Sequence, residues 1–144
     1  MHLKSNTWSS MPPLRLAVEE SAVVACDGDL YVIGGFGDEE VVGRVQRYNT
    51  MTGACVEVAG MLTPRDRHVA CFLDGYIYTA GGCTDIMYDM IDDESLSTVE
   101  RYDIANDRWD FVKPMNKRRV GAGISVISGK IYVCLLYTSP SPRD

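Results

Sequence analysis

Histidine is scarce, with two in 144 residues, and the five cysteines include no C-x-x-C pair. Neither a structural zinc site nor a dithiol redox pair is suggested, and general-base chemistry has few candidates. Long hydrophobic runs are missing: none approaches the roughly 20 apolar residues that a membrane-spanning helix needs. Positive charge is in deficit. Fourteen Lys and Arg stand against 20 Asp and Glu, a net charge of −6. That balance argues against a general nucleic-acid or anionic-membrane surface. Met1 to Asn6 has no apolar core, so a secretory leader is not expected. Reduced thiols and a cytoplasmic location are the matching expectation. No cofactor motif is seen, and no stretch carries a sustained helical period.

What is present is repetition. Leu30-Tyr31-Val32-Ile33-Gly34-Gly35 recurs as Ile77-Tyr78-Thr79-Ala80-Gly81-Gly82, and Ile131-Tyr132-Val133 begins a third copy. Val45-Gln46-Arg47-Tyr48-Asn49 recurs as Val99-Glu100-Arg101-Tyr102-Asp103. Trp8 matches Trp109, with Cys55 between them, and Leu14, Met61 and Met115 form another set. Six residues separate Trp8 from Leu14, Cys55 from Met61 and Trp109 from Met115; 17 separate each of Leu14, Met61 and Met115 from its following Tyr31, Tyr78 or Tyr132. The period is 47 residues and then 54, the longer step reflecting an insertion after the second glycine pair.

Each copy has a β texture. Val23 to Cys26 and Val69 to Leu73 are short apolar runs, suited to strands buried on both faces. Asp27-Gly28, Asp74-Gly75 and Ser128-Gly129 follow such runs, and predict two-residue hairpin turns. Cys26 and Cys71, inside apolar runs, fit the role of small hydrophobes. Four short strands in about 50 residues is the signature of a propeller blade.

The double glycine ending a strand, the tyrosine after it, and the tryptophan six residues before a methionine together resemble the kelch repeat. The resemblance covers roughly residues 6–133. It implies an all-β fold, a partial kelch β-propeller: about two complete four-stranded antiparallel blades, near 20–60 and 67–114, plus partial blades at both ends. The Trp8 segment would be an outer strand of a preceding blade, and residues 120–133 the two inner strands of a following one. Propellers have four to eight blades, so the expectation is a piece of a longer propeller, or a ring completed by association. Residues 4–133 form the kelch region. Residues 134–144, where Leu135-Leu136 stand in place of the third glycine pair, follow no kelch pattern. They are expected to be a disordered or extraneous tail, with a Ser-Pro phosphorylation tail as the alternative.

The glycine pairs are expected to let a neighbouring sheet approach closely, and Tyr48, Tyr102, Trp8 and Trp109 to pack between blades. Recognition is expected on one loop face. The Pro64-Arg65-Asp66-Arg67-His68 segment resembles the Pro-Arg-x-Arg stretch of kelch-type substrate adaptors, in which the second arginine points into the pocket. Arg67 takes that position, and Glu20 and Gly121 are its equivalents in the neighbouring copies. Arg67 could grip an acidic peptide; the alternative is an ordinary solvated loop arginine. Arg65, His68, Glu20, Phe36, Met87 and Tyr88 complete the candidate partner-binding set, Met87 and Tyr88 lying in the acidic insertion from Cys83 to Ser97. No catalytic, cofactor or metal residues are expected. The style of the repeats is closest to BTB-kelch proteins, which present substrates to cullin-type ubiquitin ligases. A protein or peptide ligand is the implied partner, with the ligase reached through domains that lie outside this stretch. An actin-binding scaffold is the alternative in the same class; a kelch-fold oxidase or sugar epimerase is the enzymatic one.

Overall fold

The computed structural model describes residues 7–85 and 95–134. The first blade is an antiparallel sheet of β1 (Ala22–Cys26), β2 (Asp29–Ile33), β5 (Val45–Asn49) and β6 (Cys55–Val58), in that order. A two-residue hairpin, β3 (Phe36–Gly37) with β4 (Glu40–Val41), rises between β2 and β5. The second blade is β7 (Val69–Leu73), β8 (Tyr76–Ala80), β9 (Val99–Asp103) and β10 (Arg108–Val112). β11 (Gly123–Ile127) and β12 (Lys130–Cys134) form the inner pair of a third. The fold is therefore all-β among the described residues, an unclosed partial propeller.

Local chemistry accounts for the turns. Asp27 and Gly28 have φ of 49° and 83°, and Asp74 with Gly75 and Ser128 with Gly129 repeat the pattern. Both central residues of each turn are left-handed, as the tight hairpin requires. The last residue of the V-x-R-Y-[ND] anchor is a turn former. Asn49 Oδ1 accepts from the Met51 and Thr52 amides, and Asp103 Oδ1 from the Ala105 and Asn106 amides. The arginine of the same anchor is structural too: Arg47 lies 3.6 Å from Asp29, and the Arg101 guanidinium sits over the Tyr76 ring.

The core lies between the first two blades, where Val24, Tyr31, Ile33, Val45 and Ile77 pack with Tyr102 and Trp109. Tyr102 stacks on Trp109 with ring centroids 5.1 Å apart, and Tyr31 of the first blade meets Tyr102 at 6.0 Å. Trp109 Nε1 donates to the Ala59 carbonyl, while Asp107 Oδ1 accepts from the Tyr102 hydroxyl and the Ala59 amide. One blade is thus fastened to the next here by aromatic burial and two hydrogen bonds, the Tyr102 hydroxyl steadying Asp107 from within the second blade.

Two sequence expectations need correction. β1 is buried on one face only: Ala22, Val24 and Cys26 are buried, whereas Val23 is 56% exposed. β7, flanked by β1 and β11, is at least half-buried along its length. The difference is the number of neighbouring blades, which the strand's own composition does not carry. Trp8 is 82% exposed and lies in no strand among the described residues, because no strand equivalent to β9 is there to receive it. Residues 9–14 instead lie across the outer face of the first blade, over a hollow of about 740 Å³ lined by Met11, Pro12, Leu14, Val23, Val32 and Tyr48. Phe36 to Val41 adds the β3–β4 hairpin to the four strands expected of that blade. The tail expectation falls outside the described residues except for Cys134, which ends β12.

Candidate functional site

Two linkers, residues 61–68 and 115–122, carry the chain from an outer strand to the next inner strand, and residues 14–21 lead into β1 as their equivalent. They meet at one end of the blades. The Arg67 amide donates to the Glu20 carbonyl at 3.0 Å, and the Gly121 amide to the Arg67 carbonyl at 2.9 Å. Glu20, Arg67 and Gly121 are all left-handed, at φ of 54°, 47° and 62°. The three equivalent positions identified in the sequence are therefore one backbone ladder. A non-glycine residue in this region costs of order 1 kcal/mol, so the surrounding bonds must hold it there.

The glycine pairs seat these linkers. Gly35 N donates to the Arg65 carbonyl and Gly82 N to the Arg119 carbonyl, each at 2.8 Å. A Cβ on Gly82 would stand 2.5 Å from the Asp66 carbonyl, and one on Gly81 would overlap the Arg119 carbonyl. The pairs thus permit close approach of backbone, as the sequence suggests. The residue after each pair then bonds the linker reciprocally: Phe36 with Glu19, and Cys83 with Asp66.

Arg65 needs a correction. Its side chain is wholly buried. Nη1 donates to the carbonyls of Gly81 and Thr98, Nη2 to Thr98 Oγ1 and to Glu100 Oε1 at 2.8 Å, and Nε to the same Glu100 oxygen. Its five N–H donors make five hydrogen bonds to four acceptor atoms, and nothing remains for a partner. Glu100, equally buried, also accepts from the Leu62 and Thr63 amides. Arg65 therefore positions the linker that displays Arg67. Sequence reasoning missed Glu100, which occupies the variable position of V-x-R-Y. In the first blade Gln46 stands there, accepts from the Leu16 amide and donates to the Leu16 carbonyl. Val18 lies one repeat back from Arg65, so the neutral amide has no arginine to balance.

His68 is also internal, 6% exposed. Its ring lies beneath Gly34, whose Cβ would come 3.0 Å from His68 Cε1. Neither ring nitrogen has a regular hydrogen-bond partner. Burial, reinforced by the Arg65 charge, lowers its pKa to about 3, against a weak opposing contact with the Arg65 carbonyl. It is a packing residue held neutral.

Three candidates reach or border the surface. The Arg67 side chain is 34% exposed, with Nε 3.2 Å from Asp66 Oδ2. Burial works against its charge, but Asp66, then Cys83 and Glu20, outweigh that and raise its pKa. Asp66 spends its other oxygen on the Cys83 thiol at 2.6 Å. Glu20 is exposed, and Phe36 is half-buried at the foot of the hairpin. Glu19 is exposed beside them. Met87 and Tyr88 lie outside the described residues. Among the described residues no group of three His, Cys, Asp or Glu could hold a metal ion, and no helix is long and apolar enough to cross a membrane.

The family model for the kelch motif matches residues 20–62 and 64–116. The chain belongs to the kelch-repeat family. Kelch-like protein 15 of Danio rerio is 31% identical over 109 residues, covering 76% of this chain and 17% of that protein. Kelch-like protein 15 of Homo sapiens is 24% identical over 143 residues, covering 96% and 22%. An F-box/kelch-repeat protein of Arabidopsis thaliana is 30% identical over 130 residues, covering 87% and 33%. The kelch region thus spans between a sixth and a third of the length of these relatives. Among solved structures, that of YjhT superposes with a TM-score of 0.69 at 18% identity, covering 85% of this chain and 35% of that one. At that identity the likeness speaks for the fold alone. The two kelch matches meet at Thr63, so the linker from Met61 to His68 joins two repeats.

Proposed function

We propose that this kelch chain is a protein-recognition module whose partner docks on the linker face around Glu20, Arg67 and Phe36. The supporting observation is the division of labour along Pro64-Arg65-Asp66-Arg67. Arg65 is consumed inside, while Arg67 is held at the surface in a left-handed backbone conformation by bonds to both neighbouring linkers. Display of a partly exposed charge on a rigid frame suits recognition better than scaffolding alone. On the resemblance of the repeats to BTB-kelch proteins, the proposal extends to a substrate adaptor for a cullin-type ubiquitin ligase, acting in the cytoplasm, without catalysis of its own.

The test is quantitative capture from cell extract with the intact chain, its Arg67→Ala and Phe36→Ala variants, and Arg108→Ala on the exposed outer strand as control. Partners retained by the control and lost with Arg67→Ala or Phe36→Ala are the expected result. The same partners at the same yield with all four proteins would overturn the reading. The ligase extension predicts that such partners are ubiquitinated less when Arg67 is replaced in the full adaptor.

A further inference from the structure

On that linker face the structure holds a second feature, which points to the chemistry of the partner. A shallow groove of about 390 Å³ runs between Ala17, Val18 and Glu19 on one side and Phe36, Gly37 and Asp38 on the other. Its floor is apolar. Gly37 is packed so closely that a Cβ there would stand 2.8 Å from the Ala17 carbonyl and 3.2 Å from Val18 Cγ1, so the groove is built by close backbone approach. Its rim is acidic. Glu19, Glu20, Asp38, Glu39 and Glu40 are all exposed. Among the described residues none of the five has a cation within salt-bridge distance. The charges of the first blade are paired elsewhere, Arg44 with Glu57 and Arg47 with Asp29. Of the five, Glu19 and Asp38 line the groove and Glu20, Glu39 and Glu40 adjoin them in the chain; Arg15, four residues before Glu19, lies outside the lining. Arg67, the cation next to Glu20, is already bound to Asp66.

We propose that this groove takes an apolar side chain from a basic peptide segment, whose Lys or Arg residues are held by the surrounding carboxylates; the proposal rests on the linker face being the docking surface. Charge complementarity selects this occupant over the acidic peptide that Arg67 alone would suggest. Five unpartnered carboxylates face one arginine that is already neutralised. Three of the five lie consecutively at the hairpin tip, well within the roughly 8 Å screening length at physiological salt, and so act together on an approaching charge. An acidic segment would meet that field with the wrong sign.

The experiment is calorimetric titration of the intact chain with two synthetic heptapeptides, Gly-Lys-Arg-Leu-Lys-Arg-Gly and Gly-Glu-Asp-Leu-Glu-Asp-Gly, capped at both ends. The basic peptide is expected to bind and the acidic one to give no heat. The triple variant Asp38→Asn/Glu39→Gln/Glu40→Gln, which keeps the shape of an exposed turn, should weaken binding roughly tenfold, from three exposed pairs of ordinary strength. Phe36→Ala should weaken it as well while leaving its salt dependence intact. Thermal unfolding of the triple variant at the wild-type midpoint ties its loss to charge. Binding of the acidic peptide in an Arg67-dependent manner would overturn the basic-peptide assignment and leave the linker face standing as a docking surface. Silence from both peptides, or basic-peptide binding unchanged in the triple variant, would also overturn it. The broader reading fails separately, when Arg67→Ala and Phe36→Ala leave captured partners unaltered.

Discussion

Glu100→Gln tests whether the buried ion pair holds the linker in place. Arg65 and Glu100 are both fully removed from water, and their 2.8 Å contact is the main compensation for two desolvated charges. Replacing Glu100 by its neutral isostere leaves the guanidinium buried without a counter-charge, and one amide hydrogen now faces the Leu62 or Thr63 N–H. Removing one partner of a buried pair costs about 3–5 kcal/mol. With a urea m-value of about 2 kcal/mol per M, the unfolding midpoint should fall by roughly 2 M. That is a large part of a typical domain's stability, so the single variant could lose the second blade altogether. The double variant Arg65→Met/Glu100→Gln answers this. It approximates the first blade, where Gln46 works opposite Val18 with no charge at all. Replacing both charges by neutral groups of similar size is often close to neutral, so the double variant should recover to within about 1–2 kcal/mol of wild type. Glu57→Gln, breaking the half-exposed pair with Arg44, should cost less than about 1 kcal/mol. Urea unfolding followed by circular dichroism reads all three. A Glu100→Gln midpoint no lower than that of Glu57→Gln, or a double variant as unstable as the single one, would refute the reasoning.

Three other outcomes follow from the same geometry. Gly82→Ala and Gly75→Ala start from nearly the same φ, 86° and 82°, but only the first drives a Cβ to 2.5 Å from backbone oxygen. Gly75→Ala should cost about 1–2 kcal/mol, and Gly82→Ala clearly more, in parallel thermal melts. His68 has a folded-state pKa near 3 against an ordinary 6.5. The unfolded chain therefore binds the extra proton first, and the contribution is fully present above pH 6.5 and lost progressively as pH falls toward 3. His68→Ala should flatten the stability–pH curve in that window by up to about 1.4 kcal/mol per pH unit; parallel curves for both proteins would sink the idea. Asp107→Ala removes the acceptor shared by the Tyr102 hydroxyl and the Ala59 amide. It should lower stability by about 1–2 kcal/mol and shift Trp109 emission in a Trp8→Phe background, whereas an unmoved spectrum would mean that Asp107 does not hold the blade junction.

What repeats was legible in the sequence, because each repeated anchor answers a demand that every blade makes. The Asp-Gly pairs recur since each inner hairpin needs two left-handed residues, and the double glycines recur since each must admit a linker's carbonyl. Tyr48 and Tyr102 recur because each blade buries a large ring there, although Cys55 stands in the first blade where Trp109 stacks in the second. Context was not legible. Val23 and its equivalent Ala70 are both apolar, but Ala70 packs against the core shared with the first blade, whereas the face that Val23 points from meets no neighbouring blade among the described residues. Trp8 carries the spacing of Trp109 without the strand that would bury it.

The candidate site was legible in its position and misread in its roles, for a related reason. Arg65 and Arg67 are two residues apart, so a shared loop motif made both seem available. The backbone turns over at left-handed Arg67 and sends its neighbour's guanidinium inward, to a glutamate 35 residues further along. Only a pairing across that distance reveals the difference, and one sequence without its relatives holds no trace of it beyond the exchange of Gln46 for Glu100. The positions where the repeats disagree are thus of two kinds. At Gln46 and Glu100 the disagreement is absorbed inside, each residue fastening its own linker with a different bond set. At Glu20, Arg67 and Gly121 it is carried to the surface on one shared backbone ladder. A propeller can vary the second set without disturbing the first, because the ladder is made of main-chain bonds, which a side chain other than proline leaves intact once the left-handed backbone is held. If partners dock on this face as proposed, their specificity rests on the side chains that the ladder displays, while the buried pairs fix where they stand.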